Sequence, residues 1–367
     1  MADDFDRDVY CMAGLPFDAA DMARTLDVVR EAARVRRRCF LSTANLNYLM
    51  TARRDADFRA SIVRSDFVVV DGMPLIWLAR WLGLPLPERV AGSTLFEALR
   101  QDGRRPPLTV YLFGGPDGVA ERAAASINAA QGGVRCVGFR SPGFGDVASM
   151  SGDETIKAIN ASGADFLVVA ISARKGQEWI MRNMERLQVP LVSHLGAVVN
   201  FEAETVRRAP RWMQRSGLEW LWRIREEPAL WRRYWHDGSG FLRLLLWELL
   251  PLGLYLRCGR RAAREKPAGR MLLQQDGMVC RASLSGRLAD PVGPEMRQGL
   301  RECAAAGTAD VVLDLSQVRF IGAAMAGQLL MLEKQLLARG GALRMVGAQG
   351  NIRRVLCWHG LARWLAD

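Results

Sequence analysis

The sequence predicts an α/β protein. It has a mostly parallel sheet with helices on both faces, a basic and aromatic helical appendage behind it, and a smaller α/β unit at the end. Three observations lead there. Short apolar runs alternate with helical patterns through the first half of the chain. Arginine and tryptophan then crowd the stretch Thr205–Trp235, ahead of an apolar run from Phe241 to Arg257. After a basic stretch rich in Gly, Ala and Pro, strand and helix patterns resume to the last residue. A chain of 367 residues exceeds the usual size of one domain, so two are expected.

Arg38–Ser42, Phe67–Val70, Val110–Phe113, Phe166–Ile171 and Leu191–His194 read as buried parallel strands, being apolar runs too short for helices. Met73–Leu82, Gly118–Ala130 and Glu178–Leu187 read as helices between them. Such sheets bind ligands beyond the carboxyl ends of their strands, so the polar residues just after each strand matter most. These are Ser42-Thr43-Ala44-Asn45, Asp71-Gly72-Met73-Pro74, Gly114-Gly115-Pro116-Asp117-Gly118 and Ser172-Ala173-Arg174-Lys175-Gly176-Gln177. A carboxylate, a hydroxyl, an amide and several cations therefore share one rim. The turn at Gly114 and Gly115 either offers free N–H groups to a diphosphate or closes an ordinary strand-to-helix connection. Asp71 is either a site carboxylate or the N-cap of the next helix. His194, ending the fifth strand, reads as a structural residue.

Charge and composition narrow the partners. The net charge of +11 is nearly all arginine, since Lys157, Lys175, Lys266 and Lys334 are the only lysines. Basic residues concentrate between Arg207 and Arg270, which suits one localised anionic partner. No zinc-finger spacing or RNA-recognition signature accompanies them, which argues against nucleic acid. Thr205–Trp235 holds eight arginines and five tryptophans, a pairing suited to the boundary between lipid tails and anionic headgroups. The plainer alternative is a solvated basic helix with tryptophans in a core. Phe241–Arg257 is shorter than the roughly 20 residues needed to span a bilayer and is broken by Arg243, Glu248 and Pro251, so it reads as interfacial.

Seven scattered cysteines without a CxxC pair fit reduced thiols in a cytoplasmic protein. The acidic N-terminus MADDFDRDVY has no apolar h-region of a secretory signal. No HExxH, GxSxG or Walker loop occurs, so metal, serine-hydrolase and ATPase chemistry are disfavoured, and neither metal nor cofactor is expected.

The segment Asp66–Leu95, DFVVVDGMPLIWLARWLGLPLPERVAGSTL, resembles the core signature of the WecG/TagA/CpsF glycosyltransferases. Ser42-Thr43-Ala44-Asn45 is similar to their Thr-x-Asn loop, and Thr205–Tyr234 to their RAPxWMQxxGLEWLxRxxxEPxxxxRY tail. The resemblance runs from about Cys39 to Trp235. It implies a Rossmann-like transferase domain over residues 1–256, with about 205–256 as a membrane- or lipid-facing appendage. It also implies a peripheral enzyme on the inner face of the membrane, working in bacterial surface or exopolysaccharide synthesis. Such an enzyme moves a hexose-type sugar from a UDP-sugar to a polyprenyl-diphosphate-linked saccharide, with inversion and no required metal.

Carried over residue by residue, Asp71 would be the general base, Thr43 and Asn45 would contact substrate beside it, and Arg89 would stabilise the diphosphate leaving group. Gly72, Gly92, Gly114, Gly115, Lys175 and Gln177 would line the substrate. Arg207, Arg208, Arg211, Arg215, Arg223, Arg232 and Arg233 would face lipid phosphates, each with an alternative role in a surface ion pair. Three departures from the family pattern touch the donor side. GxPKQExW becomes SARKGQEW, GVGxxFDF becomes HLGAVVNF with Asn200 for Asp, and TGSDL becomes AGSTL with Thr94 in the acidic position. They leave the identity of the sugar open.

Residues 257–270, RCGRRAAREKPAGR, read as a basic linker beside an anionic membrane surface. Residues 271–367 then form a compact unit. Strands are expected near Leu272–Gln275, Val279–Ser283, Asp310–Asp314 and Leu343–Val346, and helices at Glu295–Ala306, Ala324–Arg339 and the C-terminus. The segment VVLDLSQVRFIGAAMAGQLLMLEKQLLARGGALRMVG resembles a STAS domain. Those domains often carry a phosphorylated serine at the helix start. Here the position reads Gly322-Ala323-Ala324, which has no hydroxyl to phosphorylate. The resemblance implies a domain that docks a protein partner or a small ligand. Two readings stand: an active transferase with an appended STAS domain, or a regulatory scaffold that has lost turnover and works through that domain. The sequence does not decide between monomer and homo-oligomer.

Overall fold

The computed structural model describes residues 3–206, 209–210, 212–213, 216–226, 228, 230–262, 269–276, 279–306 and 310–366. It separates into two compact units. One comprises Ala20–Ile76 and Pro87–Gly238, the other Met1–Ala19, Trp77–Leu86 and Ser239–Asp367. In chain order the strands are β1 (Val9–Met12), β2 (Leu15–Asp18), β3 (Cys39–Ala44), β4 (Phe67–Val70), β5 (Leu108–Gly114), β6 (Val134–Arg140), β7 (Phe166–Ala170) and β8 (Leu191–His194). They continue with β9 (Arg270–Asp276), β10 (Val279–Leu288), β11 (Asp310–Ile321) and β12 (Leu343–Val346).

The first unit is built on a six-stranded sheet of order β4-β3-β8-β7-β5-β6, with every pairing parallel. Its continuous apolar runs are explained by helices covering both faces. Leu41, Val110, Leu112, Phe166, Val168 and Leu191 belong to one buried cluster. Their chain neighbours Phe40, Tyr111, Phe113, Leu167, Val169 and Val192 belong to another, as side-chain alternation requires. On the second face Trp179 stacks on Phe113 at 4.4 Å and donates its indole N–H to Met150 O at 3.1 Å. The five strands expected from sequence are present. The sixth, β6, was not expected: its run VRCVGFR carries Arg135, Gly138 and Arg140, and at the sheet edge half of it is only partly covered. The strand order sets β3 between β4 and β8, with β7 next, so the loops following these four strands converge.

The second unit holds a sheet of order β12-β11-β10-β9, parallel except for β9, which runs antiparallel to β10. Helices Pro294–Ala305, Ala323–Leu337 and Gly350–Trp358 complete it, in the order expected from sequence. Two features differ from expectation. The β1-β2 hairpin and the residues before it belong to this unit, although the sequence placed residues 1–256 together. Their hold on helix Ala323–Leu337 is specific: Lys334 Nζ reaches Asp4 Oδ1 at 2.9 Å, and Gln328 Nε2 donates to Arg7 O at 2.9 Å. Arg7 in turn pairs with Asp18 at 2.8 Å, and Gly327 leaves the room that the Val9 backbone fills. The expected 257–270 linker is helical through Ala262, where it continues helix Leu250–Ala262, and Arg257 lies 4.0 Å over the Trp81 ring. Residues 263–268 of that stretch lie outside the described residues.

Candidate active site

Asp71 follows β4 directly. Its backbone N–H donates to Ala44 O at 2.8 Å, which ties it to the end of β3 beside Thr43 and Asn45. Gly72 comes next at φ +153°, a backbone turn that favours glycine, and opens helix Met73–Leu82. The Asp71 carboxylate accepts the Gly92 N–H at the start of helix Gly92–Gln101, whose N-cap residue Ala91 has no capping side chain. A Cβ at Gly92 would press on Leu195 Cδ2 and stand 3.2 Å from Thr43 Oγ1, so Thr43, Asp71 and Gly92 are immediate neighbours. Asn45 caps helix Leu46–Ala52, its Oδ1 accepting Tyr48 N–H at 3.1 Å.

Desolvation pushes the Asp71 carboxyl up from 3.8 to about 6; Arg89 pulls it down, Glu219 adds to the rise, and Arg223 opposes it. A carboxylate titrating near 6 is ionised at neutral pH yet basic enough to accept a proton in a reaction. Arg89 is itself paired, its Nη1 3.0 Å from Glu219 Oε2.

Behind Asp71 runs a buried polar chain whose donors are fixed by chemistry. His194 Nε2 lies 2.8 Å from Ile171 O, an acceptor only, so this nitrogen carries the proton. Nδ1 then accepts from the Tyr48 hydroxyl at 2.6 Å. Tyr48 Oη is left to accept from Gln177 Nε2 at 3.3 Å, and the same amide reaches Ser42 Oγ at 3.1 Å. Ser42 continues to Ser65 at 2.8 Å. Burial holds the His194 pKa below its usual value, so the ring stays neutral. A Cβ on Gly176 would overlap the His194 ring, which therefore occupies the space a side chain at 176 would need.

The structure thus gathers Asp71, Thr43, Asn45, Gly72, Arg89 and Gly92. Gln177 is placed differently from a substrate contact, being fully buried within the polar chain. Lys175 is exposed and donates to Gly145 O at 2.7 Å. At Gly114 a Cβ would overlap the Ala170 backbone, and Gly115 donates its N–H to Ala170 O at 3.1 Å from a turn at φ +81°, so close strand approach and the turn account for these glycines. Of the tail arginines, Arg207, Arg208, Arg211 and Arg215 lie outside the described residues. Arg232 and Arg233 are exposed, over the rings of Trp231 and Tyr234. Arg223 is close enough to Asp71 to lower its pKa and lies 5.6 Å over the Phe201 ring, which places it beside the site. Sequence reasoning missed Glu219 and Tyr48. Both had a signal, Glu219 four residues before Arg223 on one helix face and Tyr48 three residues after the capping Asn45.

Among the described residues one helix, Leu230–Gly259, is long and apolar enough to cross a membrane by length and composition, with 28% of its apolar window buried. The helix that contains the apolar run Phe241–Arg257 is longer than that run, about 45 Å at 30 residues.

The site therefore holds a carboxyl near neutrality beside a paired arginine, at the strand ends of a parallel sheet. The chain belongs to the glycosyl transferase WecG/TagA/CpsF family, matching it over residues 10–253. Residues 271–366 match the Mlab, STAS domain family. A similar curated protein is the N-acetylglucosaminyldiphosphoundecaprenol N-acetyl-beta-D-mannosaminyltransferase of Bacillus spizizenii strain W23. The two are 25% identical over 194 residues, 53% of this chain and 74% of that protein.

Proposed function

We propose that the chain transfers a hexose-type sugar from a UDP-sugar to a hydroxyl of a polyprenyl-diphosphate-linked saccharide, in a single inverting displacement. The acceptor oxygen attacks the anomeric carbon, Asp71 takes the acceptor proton, and the bond to the donor diphosphate breaks. Arg89 faces the charge that develops on the departing UDP, the part a divalent ion would otherwise play. Thr43 and Asn45 orient the acceptor beside the base. The observation that carries this reading is the environment of Asp71, which sets its carboxyl near 6 between Arg89, Glu219 and Arg223. The name of the Bacillus relative supports the choice of a lipid-diphosphate acceptor.

The reading places the protein on the membrane surface. Leu244, Leu249, Leu252 and Leu256 are buried in the protein, whereas Leu242, Leu246, Trp247 and Leu254 face outward. The π-helical turn Leu245–Leu249 accounts for the spacing of five between the first two buried leucines. A helix apolar outward on one side and packed on the other, with Arg243 and Arg257 exposed along it, fits an interfacial position. The STAS domain serves as an interaction module. Its helix Ala323–Leu337 starts on the Asp290 carboxylate, which accepts Ala324 N–H at 2.8 Å where related domains carry a phosphorylated serine.

The scaffold reading has one observation in its favour, the burial of Gln177 away from solvent. Titration of a UDP-sugar panel in EDTA, with a short-chain prenyl-diphosphate saccharide present, separates the two. UDP release from one donor supports the transferase. Absence of both release and nucleotide binding supports the scaffold.

A further inference from the structure

The arginine that the proposed reaction needs for the donor diphosphate already holds an anion. Glu219 opens helix Glu219–Glu226 in the appendage, and its Oε2 lies 3.0 Å from Arg89 Nη1 with both side chains largely withdrawn from water. A carboxylate and a phosphate engage guanidinium through the same donors, so they compete for it. We propose that Glu219 is a placeholder for the nucleoside diphosphate of the donor. It keeps Arg89 paired and aimed until the diphosphate arrives, and the diphosphate then displaces it. Donor occupancy is thereby coupled to the position of helix Glu219–Glu226. This inference rests on the reading of Arg89 given above.

Three features of the site support it. Arg89 and Glu219 are both largely shut off from water, where a guanidinium and a carboxylate hold each other more firmly than at an open surface. The displaced carboxylate has a partner at hand, because Arg223 lies one turn further along the same helix with the acidic residue N-terminal, the favourable order for such a pair. Arg223 is already turned to the site, where it acts on Asp71. Finally, Glu219 places a negative charge near the base, and its departure offsets the charge that the diphosphate brings. The Arg34–Glu31 pair on the same unit makes a contrast: it lies in open solvent at 2.8 Å and touches no candidate site residue.

The test is calorimetric titration of inorganic diphosphate, and separately of UDP, into the full chain at low ionic strength. Wild type, Glu219→Gln, Glu219→Ala, Arg89→Ala and the Glu219→Ala/Arg89→Ala double variant are compared, with thermal melts to confirm folding. Glu219→Gln keeps the shape of the side chain, and Glu219→Ala removes any residual hydrogen bond to Arg89. The expected result is binding about tenfold tighter in Glu219→Ala than in wild type, equal to about 1.4 kcal/mol, with a smaller gain in Glu219→Gln. The gain disappears when Arg89→Ala is added. Wild-type binding with equal or weaker binding in both Glu219 variants overturns the placeholder and leaves the diphosphate site standing. No binding of either probe by any of the five proteins overturns the diphosphate site, and the placeholder with it.

Discussion

Replacing Asp71 by Asn has two consequences of opposite sign, and a residue with only a structural role would not show both. Raising a carboxyl from 3.8 to about 6 disfavours its ionised form in the folded protein by about 3 kcal/mol. Asp71 keeps some contact with water, so about 1–2 kcal/mol is the working figure. Below pH 3.8 the carboxyl is protonated in both folded and unfolded chains and costs nothing. The cost grows as the pH rises through the range from 3.8 to about 6 and is complete above it. Asn cannot ionise, so the variant is more stable than wild type at pH 8, by a few degrees in Tm, and equal to it near pH 3.5. Turnover moves the other way. Wild-type kcat/KM rises about tenfold from pH 5 to pH 7 as Asp71 ionises, and Asp71→Asn loses about 10²–10⁴-fold at every pH. Thermal melts at both pH values, with sugar transfer measured on the same samples, make the test. A variant within threefold of wild-type activity, or one less stable at pH 8, rules out Asp71 as a desolvated base.

Arg89→Ala removes the main charge holding Asp71 down, so the acid limb of the pH–rate profile moves to higher pH while kcat falls by at least about tenfold; an unmoved limb contradicts the placement. Trp247→Glu combined with Leu254→Glu puts charge on the outward face of the apolar helix and cuts partition onto anionic vesicles by at least about tenfold, read by sedimentation. Lys334→Met strips one cation from buried Asp4 and leaves Arg7, costing about 2–4 kcal/mol in the melting of the unit that carries β1 and β2. A cost under about 0.5 kcal/mol would show that the N-terminal segment is not anchored there.

Much of the architecture was legible because it rests on local patterns. Phe67–Val70 and Phe166–Ala170 are continuous apolar runs since both faces of the sheet are covered, and the loop after each strand could be searched for polar groups. Asp71, Thr43 and Asn45 were singled out as candidates in that way, and Arg89 through family resemblance. What stayed hidden depends on contacts distant in sequence. Asp4 and Lys334 are 330 residues apart, and nothing in an acidic N-terminus reveals a buried lysine waiting for it. Edge strand β6 lacks a fully apolar run because one side needs no cover. His194 and Gly176 explain each other only in three dimensions, and Gln177 looked like a substrate contact because its loop follows a strand end while its amide turns inward. Glu219 lay inside a recognised motif, yet its role follows from the 3.0 Å approach to Arg89.

In the proposed function this chain forms a glycosidic bond with Asp71 as base. Its most direct test is the mass of a synthetic prenyl-diphosphate saccharide after incubation with the full chain and each UDP-sugar in EDTA. The acceptor gains one hexose-type unit from one donor, and gains none with Asp71→Asn although that variant melts no lower than wild type at pH 8. An acceptor unchanged by every donor, or a gain that survives in Asp71→Asn, contradicts it.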